Sequence, residues 1–153
     1  MITVTVYGLD QFVVGRMSKE LTTPLAKVYE TDEDNINFIA PNSMVFHKGV
    51  EQTSWNVYIE VRAPKKVQVL EHLAKDVILN SIIESGVAIN ISLVFYYFSI
   101  DNYHVSINED YPRFISEENL VNIESEDESE PREEGEGDDQ IYTGDIFSDF
   151  KKE

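Results

Sequence analysis

The chain has 153 residues, 42% of them hydrophobic, no cysteine, and a formal net charge of −17 at pH 7. That composition supports one buried core, and the missing cysteines exclude disulfides, cysteine-based zinc sites and thiol nucleophiles. The charge is uneven, −5 over residues 1–115 and −12 over residues 116–153, and the richest basic cluster (Arg62, Lys65, Lys66) is too small to track a phosphate backbone, which argues against nucleic acid and anionic membranes as partners.

Ile2, Val4 and Val6 alternate with Thr3, Thr5 and Tyr7, the period of a half-buried strand. Gly8-Leu9-Asp10 ends it. Val14, Met17, Leu21, Leu25 and Val28 then recur at helical spacing, with Pro24 predicting a kink or a break inside that helix. Residues 35–40 and 43–47 read as short strands joined by a Pro41-Asn42 turn, so that they resemble a hairpin. After a loop at 48–53 comes a clearer strand, with Trp55, Val57, Ile59 and Val61 on one face and Asn56, Tyr58, Glu60 and Arg62 on the other. Ala63-Pro64 is expected to open the second helix, because a proline in the first turn gives up no hydrogen bond. Its apolar stripe is Val67, Leu70, Leu73, Ala74, Val77, Ile78 and Ile82, and Gly86 stands where a left-handed cap is expected. Residues 88–98 form a last strand. Its run Val94-Phe95-Tyr96-Tyr97-Phe98 is apolar on both faces, so cover on both sides is expected, and Tyr103 to Ile107 could add an edge strand.

The order predicts an α+β domain over residues 1–115: doubled β-α-β units, a four-stranded mixed sheet, and two helices on one face. Residues 116–153 form an acidic tail. Between Glu124 and Asp139 it has no apolar side chain, so it cannot bury enough surface to offset ordering entropy and is expected to be disordered. Ile141, Tyr142, Ile146, Phe147 and Phe150 return apolar anchors among acids, the pattern of a short docking peptide for a basic protein partner. No stretch has the roughly 18 apolar residues of a membrane helix, and the first residues do not resemble a signal peptide. A cytoplasmic protein is expected.

No phosphate-cradling or zinc-protease motif occurs. His47, His72 and His104 are far apart in the sequence, and neither metal nor cofactor is expected. Glu60 is a candidate carboxylate, with an exposed sheet residue or an ion pair to Arg62 or Lys66 as the plainer alternative. Arg62 closes a strand just before the expected helix start, where free N–H groups and the helix dipole favour anions. A salt bridge to Glu60 competes with that role.

The sequence Asn56-Val57-Tyr58-Ile59-Glu60-Val61-Arg62, the following helix, and the ending Val94-Phe95 through Asn102-Tyr103-His104 resemble the tautomerase (macrophage migration inhibitory factor-like) superfamily, and more narrowly a small bacterial branch of it. The resemblance covers roughly residues 1–107. It implies a homo-oligomer, with a trimer favoured. In active members it also implies an N-terminal proline whose secondary amine, its pKa lowered by burial, moves a proton between carbon and oxygen. Here the second residue is Ile2. Initiator methionine is generally removed only before a small residue, so Met1 is expected to stay and to offer a primary amine displaced by one position. Arg62 matches the strand-end arginine and Tyr103 the aromatic near the last strand. With Met1, Ile2 and Glu60 they make the candidate pocket.

Three functions follow. The first is a tautomerase-fold protein kept for binding or assembly. The second is an isomerase or tautomerase acting on a small keto-enol acid through the Met1 amine or a carboxylate such as Glu60. The third is an interaction protein working through its acidic tail. A ferredoxin-like RNA reader shares the order of elements, but the aromatic strand holds no Lys or Arg.

Overall fold

A computed structural model describes residues 1–115. Within it Met1–Phe114 forms one compact unit, and the proposed tail anchors Ile141, Tyr142, Ile146, Phe147 and Phe150 lie outside the described residues. Strand β1 (Ile2–Tyr7) leads into helix α1 (Gln11–Val28) and strand β2 (Ile36–Ile39). Two short strands follow, β3 (Phe46–His47) and β4 (Val50–Glu51), then the long β5 (Asn56–Pro64), helix α2 (Glu71–Ser85) and β6 (Asn90–Phe98). The main sheet runs β2-β1-β5-β6. β1 is parallel to β2 and β5 is parallel to β6, while β1 and β5 meet antiparallel at the centre. This is a mixed four-stranded sheet of two β-α-β units, as the sequence predicts.

Burial follows the alternation. Ile2, Val4 and Val6 of β1 and Val57, Ile59, Val61 and Ala63 of β5 are buried in one core with Val14, Met17, Leu21 and Leu25 of α1 and Ala74, Ile78 and Ile82 of α2. Asp10 caps α1 by accepting from the Phe12 N–H at 2.8 Å. α1 runs through Pro24 without ending; the carbonyl that the proline leaves unbonded belongs to Glu20, an exposed residue, where water can take the missing donor's place. Gly86 ends α2 in the left-handed region (φ 64°), its N–H donating to the Ile83 carbonyl.

Four local expectations are corrected. The segment 35–40 does not pair with 43–47: β2 joins the main sheet beside β1, and β3 pairs instead with β4 in a separate ribbon. Ala63 and Pro64 do not start α2. They stay extended in register with Tyr97 and Phe98 of β6, a 3₁₀ segment (Lys65–Leu70) follows, and α2 begins at Glu71. Val67 and Leu70 suit that tighter turn, since residues three apart share a face in it, and Leu73 falls on the exposed side of α2. Among the described residues β6 is covered on one face only. Phe95 and Tyr97 pack against the core, whereas Tyr96 is 46% exposed, because both helices lie on the other side of the sheet. Residues 103–107 form no strand.

The uncovered face is defined by the register. Thr3 opposes Arg62, Thr5 opposes Glu60 and Tyr7 opposes Tyr58; beyond them Ser92, Val94 and Tyr96 of β6 face the same way. Among the described residues no helix is long and apolar enough to cross a membrane.

Candidate functional site

The antiparallel meeting of β1 and β5 places the start of one beside the end of the other. Met1 therefore lies at the edge of the sheet where β5 and β6 finish. The chain returns to this edge after β6: a 3₁₀ turn (Ile100–Asn102) precedes the irregular segment 103–115. The segment borders an open pocket of about 290 Å³ beside Met1 and Asn37. Val105, Ile107, Tyr111, Pro112 and Phe114 supply apolar wall, and Ser106, Asn108 and Arg113 supply polar groups. That volume suits a metabolite-sized ligand, at the small end of the roughly 300–1,000 Å³ typical of ligand pockets.

The electrostatics at Met1 are one-sided. Burial holds the α-amine below its usual range, and the positive charges of Arg113 and Lys66 push it the same way. The Arg113 guanidinium donates to the Met1 sulfur at 3.8 Å and lies 5.3 Å from the centre of the Phe114 ring. The Asn37 amide also donates to that sulfur. Neither a carboxylate nor an imidazole belongs to the pocket lining.

The sequence-derived candidates fall in three places. Met1 lines the pocket, but Ile2 is buried beneath the sheet, 3% exposed, and points its side chain into the core rather than across the pocket. Glu60 and Arg62 sit together on the open sheet face, joined by a 3.0 Å ion pair. The salt-bridge alternative for Arg62 is thus the one formed. The expected anion site has no α-helix start beside it, since only the short 3₁₀ segment follows Arg62 and α2 begins nine residues later. Tyr103 stacks on Phe98 with ring centres 5.6 Å apart and does not line the pocket. What sequence reasoning missed is Asn37, Lys66 and the segment 105–114. The only signal for the last was an aromatic-proline-arginine-aromatic run, Tyr111 to Phe114, in a stretch with no periodicity.

Two further polar groupings bear on the fold. The Tyr97 hydroxyl donates to Glu71 at 2.9 Å, and nearby Tyr29 is buried with no hydrogen-bond partner for its hydroxyl among the described residues. Burial, then the Glu71 charge, pushes Tyr29 up to about 12. On the open face the Tyr58 and Tyr96 hydroxyls lie 3.5 Å apart, and Tyr7 packs against Tyr58 with ring centres 6.0 Å apart. Among the described residues no group of three or more His, Asp or Glu converges on a metal-sized site.

Two parallel β-α-β units joined antiparallel through one mixed sheet make a tautomerase-like α+β fold. Solved structures share it. A DUF1904 domain from Sebaldella termitidis superposes with a TM-score of 0.61 at 19% identity, over 69% of this chain and 95% of that one. The macrophage migration inhibitory factor-like protein of Entamoeba histolytica gives 0.53 at 14% identity, over 69% and 93%. A macrophage migration inhibitory factor homologue from Prochlorococcus marinus gives 0.51 at 15%, over 69% and 94%. The chain belongs to the Domain of unknown function (DUF1904) family, whose pattern matches residues 1–108. A search of curated proteins finds no match.

Proposed function

We propose that this protein is a tautomerase-fold binding protein without proline-based catalysis, whose pocket at Met1 holds a small carboxylate such as a 2-oxo acid. The observation that carries the proposal is the pocket itself. It sets an apolar wall beside the Arg113 guanidinium and Met1, while Ile2 is buried in the core and leaves the pocket clear. An apolar body with one carboxylate fits that lining. Titration calorimetry with phenylpyruvate should give saturable binding that weakens with added salt. Binding absent at millimolar ligand would refute the reading.

A second reading is an isomerase of a small keto-enol acid that uses the Met1 amine as base. The lowered pKa of that amine favours it, because a neutral amine can accept a proton near neutral pH. Acceleration of phenylpyruvate enol–keto conversion, abolished by acetylating the amine, would select it. Glu60 is a weaker base candidate, since Arg62 engages it outside the pocket.

The proposal includes assembly. The open face carries Tyr7, Tyr58, Val94 and Tyr96 with no layer of the described residues over it, which supports a homo-oligomer, a trimer by the superfamily resemblance. The acidic tail from residue 116, with its aromatic anchors, is the proposed contact for a basic protein partner, and deleting it should abolish capture of that partner. The proposed setting is the cytoplasm, to be checked by cell fractionation.

A further inference from the structure

We propose that the Met1 thioether is a site of reversible oxidation by a peroxide, with Asn37 and Arg113 placed to hold the oxygen of the resulting sulfoxide. The inference concerns the Met1 side chain rather than its amine, and it stands whatever ligand the pocket takes. Its basis is the convergence of two donors on one sulfur. The sheet register fixes the first. β2 pairs Asn37 with Thr3 of β1, and from there the Asn37 amide donates to the Met1 sulfur. The second comes from the segment after β6, where the Arg113 guanidinium donates to the same sulfur at 3.8 Å. A thioether is a weak acceptor, whereas an amide and a guanidinium are strong donors. The match is poor while the sulfur is reduced. A sulfoxide oxygen carries partial negative charge, so it would take both donors far better, the charged one above all.

The rest of the chain sharpens the contrast. It has no cysteine, so its three methionines hold all of its sulfur and are its softest targets for an electrophilic oxygen. Met17 is 3% exposed inside the core, and Met44 is 62% exposed on the surface. Met1 is half-buried beside the open pocket, which admits a molecule as small as hydrogen peroxide. Among the described residues the hydrogen bonds to sulfur are both at Met1. Met44 therefore shows what exposure alone does to a methionine of this chain, and Met17 what burial alone does.

The step balances with hydrogen peroxide as the oxidant. The sulfur lone pair attacks one peroxide oxygen and the O–O bond breaks, so sulfur gives up the two electrons that the peroxide gains. The attacked oxygen passes its proton to the departing hydroxide, which leaves as water, and the S–O bond stays. Negative charge then rests on the oxygen beside Asn37 and Arg113. Two thiols of a sulfoxide reductase reverse the change: the oxygen departs as water and the thiols become a disulfide. The surroundings of Met1 are chiral, so the two sulfoxide epimers are held unequally.

The test is a timed oxidation of the full chain with hydrogen peroxide, the sulfoxide at each methionine being read by peptide mass. Met44 serves as the clock within each sample. Exposure alone orders the sites Met44, Met1, Met17. The proposal expects Met1 to oxidise at least as fast as Met44. It expects Met1 to slow at least about threefold against that clock in Arg113→Ala and in Asn37→Ala, with Arg113→Lys partly restoring it. Both alanine changes uncover Met1, so exposure alone predicts the opposite sign. Arg113 lies in an irregular, exposed segment, so Arg113→Ala should keep the native circular dichroism and decide the matter even where Asn37→Ala does not fold. One epimer should predominate at Met1, read as the fraction that an epimer-specific reductase repairs, against a near-equal mixture at Met44. Met1 slower than Met44 in the parent, a Met1 rate unchanged or raised in Arg113→Ala, or equal epimers at Met1 would overturn the proposal.

Discussion

Tyr29 carries a buried hydroxyl with no partner among the described residues, beside a carboxylate that already accepts from Tyr97. Leaving a buried donor unpaired costs about 1–3 kcal/mol, whereas removing it does not. Tyr29→Phe should therefore leave stability unchanged or raise it, read as an unaltered or higher urea midpoint. The same group sets an alkaline limit. A tyrosine held up to about 12 in the fold stays protonated after the unfolded chain has ionised near 10. The native state then binds more protons than the unfolded one, and stability falls as pH rises from about 10 to 12. Tyr29→Phe should lose less stability across that window than the parent; an identical loss would contradict the argument. The Met1 amine works with the opposite slope, since its lowered pKa makes the unfolded state the stronger proton binder just below the usual α-amine range. At this scale Met1 was legible from the sequence because a superfamily resemblance points to the first residue. Arg113 was not, because a lone arginine in an irregular segment has no period to mark it, and only the return of the chain to the sheet edge brings it to Met1.

At the scale of elements, two glycines do different work. Gly86 takes φ 64° in open space, so an added Cβ meets nothing within 4 Å and Gly86→Ala costs only backbone strain, about 1 kcal/mol. Gly8 takes φ 79°, and a Cβ there would lie 2.8 Å from the Asn56 carbonyl oxygen, which is sheet backbone. Gly8→Ala should thus destabilise clearly more than Gly86→Ala in denaturant melts, and the reverse order would show that the β1–α1 turn is not as tight as described. Period-2 and period-3.6 patterns made β1, α1, β5, α2 and β6 readable. The errors arose where pattern was absent or shared. Ala63 and Pro64 fit either a strand end or a helix start, and pairing with β6 decided for the strand. The segment 35–40 could pair locally or beyond α1. Parallel addition to β1 buries Ile36, at 5% exposure, against the core, a gain that a local hairpin does not offer.

For the whole molecule, the sheet has one dry face and one open face. The sequence marks β6 as apolar on both sides, yet the described residues cover only one. That mismatch is the physical ground for the proposed assembly, because a tyrosine-rich sheet face left in water forgoes burial worth roughly 25 cal/mol per Å². Tyr96→Lys combined with Val94→Glu should shift sedimentation from an oligomer toward the monomer while circular dichroism stays native. A native oligomer unaffected by both changes would move the interface elsewhere. The strong acidity of residues 116–153 was legible directly from composition.

The central claim is that a tautomerase fold here serves binding without the proline base. Its most direct test is the ketonisation of phenylenolpyruvate, followed in the ultraviolet with saturating full-length protein whose occupancy is checked by calorimetry. The account predicts a rate equal to that in buffer while the pocket is filled. A rate well above buffer that disappears when the Met1 amine is acetylated would contradict it and establish the amine as a catalytic base.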